Sequence, residues 1–401
     1  MKLVAGTAVT LPFAGWLAAP DGVDAAPSHT ERILGPKTFN VKHYGATGDG
    51  HTNDAPAIQS VIDAASKHAK ATVYFPAGAY AIERSLVISH PVRLVGAGMD
   101  ATTIVDPYGM HIIELWNTHG VDIRGLTIQG AHGASDFGYA VRTNDVVDLN
   151  IQDCRFVNIP DTAVSLGYVR HASITNCQFQ TIGNSGIRLQ DPGDDSANHD
   201  IVIEHNTFTN VVTSLNRGHA AIQSQGGLAR HERITVKDNI IDTHYVGIGL
   251  DSIDYGIVAN NRVLGNGELG EGIAFTGSNT SITGNAINQC YAAGILQWAV
   301  SYRPNNDNII EGNTCWNNGQ GIAIICGEPG TLVESLLVTG NRCYSASVEH
   351  PQNYGIQSYI NPTREFTWKN VAIVDNDLRG NAVGAINLAP PSEALVEDNL
   401  V

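Results

Sequence analysis

From about residue 150 to its end, the chain alternates apolar residues with small or polar ones in short runs that recur in fixed phase. Each unit reads I-x-x-N-x-I, then a short polar stretch, then G-I-x-L. The first half appears as IEHNTF, VKDNII, VANNRV, ITGNAI, IEGNTC and VTGNRC, and the second as GIRLQ, AIQSQ, GIGLD, GIAFT, GILQW, GIAII, GIQSY and GAINL. The recurring asparagines are Asn206, Asn239, Asn261, Asn285, Asn313, Asn341, Asn376 and Asn399, spaced 22 to 35 residues apart. Self-similarity at that spacing marks a solenoid. Within each unit the period is two, which is the period of a strand. No helical stripe separates the strands, so a leucine-rich repeat does not fit. The pattern predicts an all-β chain, a right-handed parallel β-helix. Each asparagine is expected at a turn, bonded to the asparagine of the next coil, where it satisfies backbone groups that the turn leaves open. IQDCRF and ITNCQF extend the stack backwards, with Cys154 and Cys177 in the asparagine slot.

A solenoid grows by adding coils along one core, so 401 residues read as one elongated domain over 27–401, with coils from about 71 onward. In residues 39–70, Ile58, Val61, Ile62 and Ala65 recur at helical spacing behind Asp54, which is expected to cap the helix. A short amphipathic helix there would cover the apolar cross-section and open edges of the first coil. Residues 1–26 are apolar and rich in Ala and Gly, ending in a plausible cleavage site around Val23-Asp24-Ala25. They read as an export signal, implying a secreted or periplasmic protein. Lys2-Leu3-Val4-Ala5-Gly6 is similar to the stretch just after the paired arginines of a twin-arginine signal, though the arginines are missing. No other segment is long and apolar enough to span a membrane. The last residues, Glu397 to Val401, stop in mid-coil. A returning loop, a homo-oligomer through that coil or a truncated chain would each account for this.

The net charge of −16 and the lack of a basic patch argue against nucleic acid. The six cysteines read as core fillers. Cys315 and Cys343 take a slot held elsewhere by Phe208, Ile241 and Ile287. Adjacent coils lie about 4.8 Å apart, within disulfide reach, but stacked buried thiols fit the apolar rows better. No C-x-x-C or Cys/His spacing points to zinc.

The opening of the repeat region reads FNVKHYGATGDGHTNDAPAIQ, followed by Val73-Tyr74-Phe75-Pro76-Ala77-Gly78 and Leu94-Val95-Gly96-Ala97-Gly98. With the repeats, this resembles the pectate-lyase-like β-helix superfamily over roughly residues 39–401. The resemblance implies a carbohydrate-active protein whose polysaccharide or oligosaccharide substrate lies along one strand face. It does not single out a reaction. Polygalacturonases carry G-D-D-C before a strand, with later G-H-G and R-I-K motifs. Here Gly193-Asp194-Asp195 follows the strand and the other two motifs are absent, as is the D-P-H-E motif of alginate epimerases.

In G-I-x-L-x the isoleucine and leucine face the core, and the residues between them face out. Stacking the coils gives an outward column of Arg142/Asn144, Ser165, Arg188/Gln190, Gln223/Gln225, Asp251, Thr276, Trp298, Ala323/Ile325 and Gln357/Tyr359. Its middle is polar. Asp191, Asp194 and Asp195 follow the Arg188 strand, Asp251 and Asp254 follow another two coils on, His219 enters between them, and Glu271 precedes the next strand. Several carboxylates on one face are the material of glycoside hydrolysis, with one acid protonating the leaving oxygen and one carboxylate activating water or attacking carbon. Asp191 and Asp251 lie two coils apart, roughly 9.5 Å at the backbone, which suits an inverting pair better than the about 5 Å of a retaining one. Asp195, His219, Arg188 and Glu271 complete the candidate catalytic set. Gln190, Gln223, Gln225, Tyr245, Asp254, Trp298, Tyr302, Arg303 and Tyr359 are candidate substrate contacts, the aromatic rings because they stack on sugars.

Three functions remain. The first is a polysaccharide hydrolase with Asp191 and Asp251 as acid and base, needing no cofactor or metal. The second is a polysaccharide lyase or C5-epimerase, with Arg188 near the C5 proton and Asp191, Asp194 and Asp195 holding Ca²⁺ against a uronate carboxylate. The third is a surface protein that binds carbohydrate without chemistry.

Overall fold

The computed structural model describes residues 37–131, 133, 137–190, 198–212, 219–226, 230–266, 270–360, 366–389 and 393–401. The proposed export signal therefore lies outside the described residues. The strands form sheets of 24, 12 and two strands, coiled as the parallel β-helix that the repeat predicts. In the largest sheet, long strands such as Ile113–Arg124 and Val141–Gln152 turn a corner at residues with positive φ, among them Asn117 and Asp145. One sheet thereby supplies two faces of the helix, and the 12-stranded sheet supplies the third.

Register across the site face holds the repeat in phase. Ile187, Ile222, Ile248, Ile273, Ile295, Ile322 and Ile356 are successive partners, and all are fully buried. On the third face, Phe156, Phe179 and Phe208 stack with centroids 5.0 and 4.5 Å apart. That row continues through Ile241, Val263, Ile287, Cys315 and Cys343. All six cysteines are buried and free, as core fillers should be.

The asparagine ladder is present, and it is buried from Asn206 to Asn376. The side-chain oxygen of each asparagine accepts from the backbone N–H and the side-chain amide of the one a coil earlier, at 2.9–3.1 Å, from Asn239 on Asn206 to Asn399 on Asn376. Each Nδ2 also donates to a core-strand carbonyl, as Asn285 does to Val258 at 2.9 Å. The residue before each rung takes the left-handed conformation: His205, Asp238, Asn260, Gly284, Gly312, Gly340, Asp375 and Asp398 have φ between 54° and 64°. Glycine, asparagine and aspartate adopt that conformation most readily, which is why every rung but His205-Asn206 is written G-N, N-N or D-N.

The helix Ala55–Ala65 buries Ala55, Ile58, Val61, Ile62 and Ala65, the face read from its periodicity. Asp54 does not cap it. It has helical φ and ψ and makes no side-chain cap bond. Its buried carboxylate instead accepts from Thr47 N, Thr47 Oγ1 and Gly48 N at 2.7–3.0 Å, tying the G-A-T-G-D-G loop to the helix start. Asn53 Oδ1 takes the Ala55 N–H instead, at 3.1 Å.

Asn285→Ala should strip the buried Asn261 N–H and Val258 carbonyl of their partners, at about 1–3 kcal/mol per group. A fall of about 3 kcal/mol in unfolding free energy is expected by urea denaturation. A fall below about 1 kcal/mol would mean that the ladder follows the fold without holding it.

Candidate active-site cleft

The outward residues of the site face line up as two rows. One runs Glu114, Arg142, Ser165, Arg188, Gln223, Gly249, Ala274, Leu296, Ala323 and Gln357. The other lies two residues further along each strand and includes Asn144, Gln190, Gln225, Asp251, Thr276 and Trp298. Trp298 pairs with Ile325, and Ile325 with Tyr359.

In mid-sheet the first row shrinks to Gly249 and Ala274, and a cleft of about 720 Å³ opens above them. A side chain at Gly249 would meet Ala220, so glycine keeps the floor low. One wall carries His219, Tyr245 and Glu271, each just ahead of its strand. The other carries Gln225, Asp251, Trp298 and Tyr302. Gln223, Val300 and the apolar floor residue Leu296 also line it.

Asp251 stands at the end of the straight part of its strand. Ser252 follows with φ 62° and turns the chain onto the next face. Ser224 Oγ donates to the Asp251 carbonyl at 2.6 Å. The Asp251 carboxylate lies over Gly226, where a Cβ would come within 1.8 Å of Oδ2, so a side chain at that position would push the carboxylate out of its place. Burial raises the proton affinity of the Glu271 carboxyl on the opposite wall. Burial, and secondarily the charge of Asp251, does the same for the Tyr302 phenol.

Behind His219 sits Arg188, buried in the sheet face. Its Nη2 lies 3.2 Å from Asp161 Oδ1 and 3.2 Å from His219 Nδ1. Asp161 Oδ1 also accepts from Thr162 Oγ1 and Asn184 Nδ2. Burial and the neighbouring guanidinium lower the His219 pKa, so the ring is neutral at neutral pH. A guanidinium only donates, so Nδ1 is the acceptor and the ring proton sits on Nε2. Gln223 Oε1 lies 3.3 Å from the same Nδ1. With Nδ1 accepting, the Gln223 amide serves when turned end for end, its nitrogen toward the ring.

The structure thus gathers His219, Gln223, Gln225, Tyr245, Asp251, Glu271, Trp298 and Tyr302 around one cleft. Arg188 stands behind it as support for His219. Asp254 falls past the Ser252 corner, where it pairs with Arg230 at 3.0 Å and accepts from Ser278 N. Arg303 lies in a neighbouring recess that shares Tyr302 with the cleft. The Gln190 carbonyl accepts from Asn198, and its side chain does not line the cleft. Asp191, Asp194 and Asp195 lie outside the described residues, as does the side chain of Tyr359. Sequence reasoning missed Asp161, although a Pro-Asp pair just ahead of a strand was a usable signal. Among the described residues no group of three or more His, Cys, Asp or Glu is placed to hold a metal ion, and no helix is long and apolar enough to cross a membrane.

A family profile described as rhamnogalacturonase A/epimerase, pectate lyase-like matches residues 38–274, and one described as right-handed β-helix region matches 269–401. In sequence the chain is similar to alginate lyase 7 of Azotobacter vinelandii, 43% identical over 107 residues, 23% of this chain and 12% of that protein. Mannuronan C5-epimerase AlgE2 of the same organism is 37% identical over 116 residues, 27% of this chain and 11% of that protein. The matches therefore span about an eighth or less of those relatives. In structure the chain is similar to the A-module of A. vinelandii mannuronan C-5 epimerase AlgE4, with a TM-score of 0.55 at 18% identity over 89% of this chain and 99% of that one. An exopolygalacturonase from Thermotoga maritima superposes with a TM-score of 0.59 at 12% identity, covering 84% and 92%.

The shifts at His219 and Glu271 have opposite consequences for stability. A histidine with a lowered folded pKa takes up its proton less readily folded than unfolded, so its contribution improves as pH rises toward and past 6.5. A carboxyl with a raised folded pKa is most comfortable protonated, and its contribution is lost as pH rises from 4.5 through the raised value. Glu271→Gln should therefore gain stability relative to the parent protein as pH rises from 4 to 7.5, read as the difference in denaturant midpoints. A difference that does not change with pH would mean that the carboxyl is solvated.

Proposed function

Because the chain belongs to the rhamnogalacturonase A/epimerase, pectate lyase-like family, we propose that it modifies a polyuronide by removing the C5 proton of a uronate residue in this cleft, as a lyase or a C5-epimerase. The observation that carries this reading is the neutral His219, its Nδ1 held by Arg188, on the same wall as a Glu271 of raised proton affinity. Removing a proton beside a carboxylate puts charge on the carboxylate oxygens. Neutral N–H donors aimed at those oxygens are what that step requires. His219 Nε2–H and the amide of Gln225 supply them, with the Arg188 charge behind. Glu271 is the base, because burial brings its proton affinity closer to the working pH. The names of the sequence relatives, an alginate lyase and a mannuronan C5-epimerase, support the same class of reaction.

The chemistry then divides. In elimination, the electron pair left at C5 forms the C4–C5 double bond and the C4–oxygen bond breaks. The leaving oxygen takes a proton from the far wall, where the Tyr302 phenol keeps its own. In epimerisation, C5 takes a proton back from that far wall and its configuration inverts. Trp298 offers the only ring on that wall besides Tyr302 among the described lining residues, and it stacks on a neighbouring sugar. The Ca²⁺ alternative falls on Asp191, Asp194 and Asp195, beyond the described residues, and chelation tests it.

Glycoside hydrolysis has one observation in its favour. Asp251 and Glu271 face one another across the floor, and Glu271 is the one whose proton affinity is raised, as a general acid's would be. Five residues along the strand direction separate their backbones, on the order of 15 Å. Two inward-reaching side chains narrow that toward the wider carboxylate spacing of inverting enzymes.

The decisive assay incubates the protein with alginate, polygalacturonate and neutral polysaccharides in D₂O, with and without EDTA. Unsaturated uronate absorbance identifies a lyase, and deuterium at C5 without chain cleavage identifies an epimerase. Reducing ends with neither signal would replace this proposal with the hydrolase. Glu271→Gln should lower kcat by about 100-fold or more, with KM little changed. No reaction on any substrate, with binding retained, would leave a carbohydrate-binding protein.

A further inference from the structure

Four strands before the cleft floor, the same outward row holds a second arginine, Arg142, which is partly exposed. Its guanidinium carbon lies 5.4 Å from the Trp116 ring and 5.7 Å from the Tyr139 ring. Among the described residues no carboxylate forms an ion pair with it, although Glu114 is its partner on the adjacent strand.

Arg142 Nη1 donates to His111 Nε2 at 3.3 Å. The backbone N of Tyr139 lies 3.4 Å from His111 Nδ1, the longer of the two contacts. Burial and the Arg142 charge lower the His111 pKa, so the ring is neutral with one proton. That proton sits on Nδ1, because a guanidinium only donates and Nε2 is its acceptor. The guanidinium N–H groups not given to His111 meet no acceptor among the described residues. The planar fork of remaining N–H groups matches the two oxygens of a carboxylate. The Trp116 ring beside it offers a face for the sugar that carries the carboxylate.

We infer that Arg142, held by His111 and walled by Trp116 and Tyr139, forms a second uronate-binding subsite remote from the reacting residue. Arg142, Ser165, Arg188, Gln223 and Gly249 are successive register partners. The subsite thus lies four strand spacings from the cleft floor, about 19 Å along the axis. An extended polyuronide running along the row reaches both, and a short oligomer does not. The subsite ties productive binding to chain length and to a carboxylate at a fixed distance from the reacting sugar. It takes its substrate class from the polyuronide reading, but the choice of reaction does not enter.

The test measures binding without turnover, by calorimetry on the Glu271→Gln protein, using a short oligouronate, one long enough to span both sites, and a carboxyl-reduced form of the long one. Adding Arg142→Ala should weaken the long oligouronate about ten-fold. It should change neither the short oligomer nor the reduced one appreciably. Arg142→Lys keeps the charge but loses the fork, and should recover only part of the loss. Equal weakening of short and long oligomers, equal weakening of charged and reduced ones, or no weakening at all would overturn the subsite. Failure of the Arg142-bearing protein to bind any oligouronate would overturn both the subsite and the substrate class. Tight, length-dependent binding by a protein that shows no lyase or epimerase activity would leave the subsite standing and remove only the proposed reaction.

Discussion

The asparagine ladder is the constraint on which the rest of this molecule depends. Each coil must make a tight corner, and a corner buried between neighbouring coils strands its backbone donors and acceptors. Unpaired, each such group costs about 1–3 kcal/mol. One amide per coil answers this by accepting from the coil before and donating to a core strand, as Asn285 does with the Asn261 N–H and the Val258 carbonyl. Because the amide must meet the next amide, it also fixes where each coil begins relative to its neighbour. Register on the site face depends on it: Ile187 through Ile356 stack in one buried row only if every corner falls in phase.

Fixed register turns the outward face into a ruled surface, on which function is written by choosing residues row by row. The cleft exists because the first row is reduced to Gly249 and Ala274 where its neighbours carry larger side chains. Its two walls arise at places where the ladder logic relaxes, namely the turn ahead of each strand and the corner after it. Asp251 is held by both devices, with Ser252 turning the chain away and Gly226 leaving room for the carboxylate. Stability is conceded nearby. Gln297 is buried in the core row beside Trp298, with neither end of its amide bonded among the described residues, and nothing in the structure explains it.

Much of this was legible in the sequence, and the parts that were not share a cause. Period-two alternation and a repeated asparagine are local patterns, so the fold, the inward slots of Phe208 and Cys315, and the outward column could be read directly. The same column pointed to Gln223, Asp251 and Trp298, because facing is set by strand periodicity. Asp54 was misread as a helix cap because capping is recognised by spacing, whereas its carboxylate is taken by Thr47 and Gly48 through loop geometry that spacing does not encode. Asp254 looked like a continuation of Asp251, since nothing in Asp-Ser-Ile-Asp announces that Ser252 turns the chain onto another face. Arg188 read as an outward residue near the C5 proton. Whether an outward arginine is exposed or sealed depends on what its neighbours contribute, here Asp161 one coil earlier and His219 one coil later.

The charge of the chain makes that last arrangement informative. A protein of net charge −16 repels a polyanion at long range, though beyond roughly 10 Å ordinary salt screens most of that repulsion. At contact, local cations decide. A buried ion pair is poor value for stability alone, because desolvating both partners offsets most of their attraction. Arg188 and Asp161 are both nearly buried, and Arg188 Nε has no partner among the described residues. An apolar pair of the same volume would fill that space as well. What it would not supply is a positive charge pressed against the back of a neutral imidazole, which fixes the ring proton on the outward nitrogen. The pair is better understood as the means by which an acidic protein presents a neutral donor at one defined point of its groove, as the proposed step on a uronate requires.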